Sequence, residues 1–176
     1  PLVDETRETS VPGVFACGNV LHVHDLVDHV SEEAALAGRH AGRLAGPGAK
    51  HGAGSRVASG EGSGADSGSD GGESRDVSGT VDIRPGEGVR AVVPQKLLRI
   101  APDDEPVSLY FRVSRIFGRC RVRLLATAPD GTRLLADSSR SRATPGEMDR
   151  LELAGDRLAA ARRARDLVLS VEEAAP

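Results

Sequence analysis

Aromatic residues are scarce in this chain: three Phe, one Tyr and no Trp among 176 residues. Any core must therefore be built from Val, Leu, Ile and Ala. Cysteine is scarce as well. Cys17 and Cys120 lie far apart and form no Cys-x-x-Cys, which points away from a disulfide framework or a cysteine-built zinc site. A reducing, cytoplasmic setting is the expectation. No run approaches the ~20 apolar residues that a membrane-crossing helix requires, so no membrane span is expected. An excess of positive charge is missing too. The net charge is −3, so no global field draws in nucleic acid or anionic lipid.

What is present divides into three zones by composition. Residues 1–46 read as a strand, a turn, a loop and a helix. Residues 47–80 are rich in Gly, Ser, Ala and acidic residues and nearly devoid of large apolar ones. Such a stretch cannot offset the entropy lost on ordering, so it reads as a disordered linker. Residues 81–176 regain apolar periodicity and read as a small β-sandwich-like domain.

In the first zone, the apolar run "GVFACGN" closes on Gly18 and fits a strand buried on both faces of a parallel sheet. Pro12-Gly13 supplies the turn that feeds it. Beyond it, Val27, Val30, Ala34, Ala37, Ala41 and Leu44 recur at helical spacing. Gly46-Pro47 ends that helix. In the last zone, Val107, Leu109, Phe111 and Val113 alternate inward, as do Cys120, Val122 and Leu124. Asp130-Gly131 marks a hairpin. Pro94 places "VRAVV" at a sheet edge or a bulge. Residues 156–165 suit one or two helical turns, and "DLVLSVE" suits a final strand. The expected class is thus an incomplete α/β piece of a Rossmann-like domain, then a flexible linker, then a small antiparallel β-sandwich-like unit.

A strand closed by Gly-Asn and followed by a helix presents ligand-binding groups. The glycine admits close approach to the backbone, the next residue projects from the carboxyl end of the strand, and the helix start offers free N–H groups. The wording "TSVPGVFACGNV…VSEEAALAGRHAG" resembles the second flavin-binding motif of the pyridine nucleotide–disulfide oxidoreductase superfamily, matching it at Thr9, Pro12, Gly13, Val14, Phe15, Ala16 and Gly18. The phrase "CGNVLHVHDLVDHVSEEA", with "VVPQKL", "LYFRV" and "PGEM", is similar to one subgroup. These are NAD(P)/FAD-dependent oxidoreductases found beside glycerol-3-phosphate dehydrogenase-like proteins, which carry an extra C-terminal segment. The resemblance spans residues 6–46 and, more loosely, 90–153.

The resemblance implies a Rossmann-like FAD domain of which residues 1–46 are the last strand and helix. It implies FAD as cofactor, with NAD(P) in the whole enzyme. It places Gly18 and Asn19 at the ribityl chain and the amides of Asp28, His29 and Val30 at the pyrimidine end of the isoalloxazine. Asn19 stands where the family carries aspartate and keeps a carbonyl acceptor for a hydroxyl. Ala34 stands where many relatives carry glycine. The chain begins with proline a few residues before the motif and has no Gly-x-Gly-x-x-Gly, so it reads as the C-terminal fragment of an oxidoreductase, inactive alone. The remainder of the flavoprotein is then its partner, with a second oxidoreductase subunit as a further one. The alternative is a non-catalytic interaction module built on the β unit.

The stretch "HVHD…H" brings together His22, His24, Asp25 and His29, all ligand-type residues. They read instead as lining a flavin pocket or a solvated loop edge, since His22 and His24 alternate with Leu21 and Val23 as in a surface-facing extended segment, and no metal is expected. Glu32 and Glu33 read as a solvated helix face, and Cys17 as a small core residue.

Overall fold

The computed structural model describes residues 1–46, 79–101, 105–129 and 131–174. The linker reading falls mainly on residues 47–78, outside the described residues. Its last two residues are described, and Thr80 already opens a strand.

Among the described residues, eight strands form two sheets. They are β1 (Thr80–Pro85), β2 (Val89–Val93), β3 (Lys96–Leu98), β4 (Val107–Val113), β5 (Cys120–Ala128), β6 (Gly131–Arg140), β7 (Asp149–Leu153) and β8 (Asp166–Glu173). The larger sheet has the order β3-β1-β8-β5-β6 and the smaller β2-β4-β7. Helix α1 is Val27–Ala45 and α2 is Gly155–Arg163.

The alternation in sequence explains these strands. In β5, Cys120, Val122 and Leu124 are fully buried while Arg121 is exposed, the period of two that a half-buried strand requires. β4 is buried at nearly every position, and Leu109 and Phe111 anchor it between β2 and β7. Both sheets and α2 contribute to one cluster that includes Val81, Val92, Leu109, Leu124, Leu153, Leu158 and Leu169. Pro94 ends β2, an edge strand, and lies between strands of different sheets.

The expected fold class is overturned. Strand makes up 43% and helix 22% of the described residues, and strands do not alternate with helices as a Rossmann-like sheet demands. "GVFACGN" is not a strand. Phe15 makes a single bridge to Glu8, Gly18–Val20 forms a 3-10 turn, and Val14 is exposed. A doubly buried strand needs a neighbour on each side, and the described residues supply one on a single side, residues 7–9, through one bridge and the flanking hydrogen bonds. The β unit is not purely antiparallel either: β1 runs parallel to β8, Asp82 facing Asp166 through Pro85 facing Leu169. β1 was hard to read, because its residues adjoin the glycine-rich stretch.

Residues 1–45 dock on the β unit instead of belonging to a sheet of their own. The Val3 carbonyl accepts from the Gln95 and Lys96 amides at 3.0 and 3.2 Å. Glu5 accepts from the Leu98 amide at 2.7 Å and from Arg162 at 2.9 Å. Helix α1 forms where the apolar spacing predicts, but it buries chiefly Glu33 and Ala37. Val27 and Ala34, on its expected core face, stay exposed.

One turn tests the packing directly. Gly88 has φ +74°, a region L-residues avoid, and an added Cβ would land on the Val171 carbonyl and 2.8 Å from Phe117 Cζ. Gly88→Ala is expected to cost about 2–3 kcal/mol from left-handed strain and overpacking, read as a lower urea midpoint. A loss under about 0.5 kcal/mol would show that β8 does not pass over this turn.

Candidate functional site

The geometry centres on Glu33, which sequence reasoning placed on a solvated face. Its side chain is 0% exposed. Oε1 accepts from Arg7 Nε at 2.9 Å and Oε2 from the Gly18 amide at 2.8 Å. His22 Nε2 lies 3.4 Å from Oε1 and His24 Nε2 lies 2.9 Å from Oε2. Burial alone would raise the carboxyl's pKa. Hydrogen bonds from His22 and His24, the Arg7 charge and the Gly18 amide outweigh that and hold it at about 2.

Local chain chemistry explains the convergence. His22 and His24 both reach Glu33, while Val23 between them turns to solvent. The hydrophilic pair faces inward and Val23 is 65% exposed, the reverse of the loop-edge reading. The ring centroids are 4.1 Å apart. Arg7 is 2% exposed and holds φ 72°. That strained backbone is kept because its guanidinium meets the buried carboxylate.

The β unit supports this segment from the other side. Tyr110 of β4 packs against His22 at 6.2 Å and His29 at 5.8 Å between ring centroids. Arg112 of the same strand bonds the Val23 carbonyl at 2.7 Å and pairs with Asp25. Asp25 also accepts from the Met148 amide. Burial works against its ionised form, but Arg112 and that amide lower its pKa.

The residues assigned to flavin contact fall close together at one end of α1. Gly18 is buried with φ +73°, and a Cβ there would lie 3.9 Å from Val30 Cγ1. Asn19 follows it on the 3-10 turn and is exposed. Asp28 lies in the first turn of α1, exposed, while His29 and Val30 are half-buried. Leu26 precedes the helix and supplies no side-chain cap, so the first-turn amides lack the partner that Ser or Asp would give. Val20, Val23, Leu26 and Val27 are exposed around this end, Val27 at 78%.

Cys17 is half-buried and unpaired, and Cys120 is buried, its thiol pKa raised by burial and by Asp149. Among the described residues no helix is long and apolar enough to cross a membrane. Comparison with protein-family models, with curated proteins and with solved structures finds no match to this chain.

Proposed function

We propose that residues 1–46 supply the ribityl- and pyrimidine-facing part of a flavin site, and that the chain is the C-terminal portion of an FAD-dependent NAD(P)H oxidoreductase. The observation that carries this reading is the end of α1, where the exposed Asn19 and the uncapped first-turn amides occur together. Asn19 offers a carbonyl acceptor to a ribityl hydroxyl. The amides of Asp28, His29 and Val30 offer donors and positive potential to the electron-rich pyrimidine oxygens. These residues fit FAD at that end only. The exposed Val20, Val23, Leu26 and Val27 are the kind of apolar surface that a monomeric protein rarely leaves bare, and the remainder of the flavoprotein would cover it. Bound FAD supplies the hydride chemistry; this chain orients the ribityl chain and keeps that end of the site in place.

The test uses the full-length gene product. It should purify with bound flavin, and Asn19→Ala should weaken FAD binding by roughly 2–13-fold, the worth of one neutral hydrogen bond. Asn19→Asp should restore or strengthen it through a charge-assisted contact. Flavin fluorescence on dissociation reads all three. A full-length protein free of flavin would leave the interaction-module reading in its place.

A further inference from the structure

We infer that His22, His24 and Glu33 form a binding site for one divalent transition-metal ion of the zinc class. The donor atoms of the three residues lie within 4.8 Å of one another. A tetrahedral ion with bonds of about 2.0–2.1 Å needs donors roughly 3.3 Å apart. His22 Nε2 lies 3.4 Å from Oε1 and His24 Nε2 lies 2.9 Å from Oε2, each near that value, so the two rings flank opposite oxygens of one carboxylate. Two imidazoles and one carboxylate suit zinc, cobalt, nickel or copper and not magnesium or calcium, which take oxygen. Three protein donors leave a fourth position for water.

The remaining nitrogens are free to carry the ring protons. Nδ1 of His22 and Nδ1 of His24 are buried with no partner. Buried polar atoms are usually satisfied, yet each ring here makes its only hydrogen bond toward the shared carboxylate. The two rings therefore turn their Nε2 atoms to the two oxygens of Glu33. On binding, the Nε2–H hydrogen bond of each ring to Glu33 breaks, the ring proton moves from Nε2 to Nδ1, and the freed Nε2 lone pair goes to the ion. No electron is transferred and no net proton is released from the rings. Arg7 shares Oε1 and contributes a positive charge, which lowers the affinity relative to a site without a neighbouring cation.

The sequence reading grouped the His-x-His pair with Asp25 and His29 and set metal aside because the pair alternates with Leu21 and Val23 as a surface-facing segment would. The structure sends Asp25 to Arg112 and His29 toward Tyr110, and brings in Glu33 from α1. The site stands independently of the flavin reading.

Zn²⁺ and Co²⁺ titrated into the 176-residue chain against a chromophoric chelator test it. The expected result is one bound equivalent. His22→Gln and His24→Gln should each weaken it at least about tenfold, since even outer-sphere partners of a metal are worth that much. His29→Gln should leave it unchanged. X-ray absorption of the wild-type zinc complex should show two imidazoles in the coordination sphere, a readout that does not depend on the variants folding. No stoichiometric binding, an unchanged affinity in His24→Gln, or a coordination sphere without two imidazoles would overturn the site.

Discussion

Glu33→Ala is expected to release residues 1–45 from the sheets at a cost of about 3–5 kcal/mol, the usual penalty for removing one partner of a buried ion pair. The substitution strands the Arg7 guanidinium in a setting where it is 2% exposed. It also leaves the Gly18 amide and the two histidine Nε2 atoms without their acceptor. The loss should be local. Amide exchange should rise across residues 3–40 while the strands β4, β5 and β8 stay protected, because their core cluster contains no residue of the first 45. The double variant Arg7→Met/Glu33→Leu should be less destabilised than Glu33→Ala alone, since no unpaired charge remains. Equal protection of residues 3–40 in wild type and Glu33→Ala would show that this carboxylate does not hold the segment.

The second large effect is a stability maximum near pH 4.5 contributed by two carboxyls at the same seam. Glu33 has its pKa lowered from 4.5 to about 2. Its contribution is complete above pH 4.5 and disappears as pH falls through 2. Glu5 has its pKa raised from 4.5 to about 7, first by burial, against the Leu98 amide and Arg162 that favour the ion. Its contribution is complete below pH 4.5 and disappears as pH rises through 7. Each shift corresponds to about 3 kcal/mol. Glu5→Gln should therefore flatten the fall in stability between pH 4.5 and 7.5 relative to wild type, measured by urea midpoints at several pH values. An unchanged slope in that variant would mean that Glu5 is ionised throughout.

The legible parts of this chain are those where a local period equals a burial pattern. Leu109, Phe111, Cys120, Val122 and Leu124 alternate in sequence and lie inward in the structure. The helical spacing from Val27 also yields α1. Two kinds of feature were hidden. Val14–Cys17 has the composition of a buried strand, but composition cannot supply the neighbours that make a strand. Glu33 has the composition of a solvent-facing helix residue. Its burial depends on Arg7, which lies 26 residues away and reaches it only through a left-handed backbone position. The His-x-His pair was visible as a donor pair, but its third donor depended on that same long-range contact.

The parallel pairing of β1 with β8 has a kinetic consequence. β8, residues 166–173, lies between β1 and β5 in the larger sheet, and the partners Ile83 and Leu167 are far apart along the chain. The strand that completes the sheet is thus the last of the eight to leave the ribosome. Closing so long a loop is slow compared with forming the β5–β6 hairpin. A nascent chain halted before Asp166 would present the edges of β1 and β5 unpaired, and both would be open to pairing with other chains.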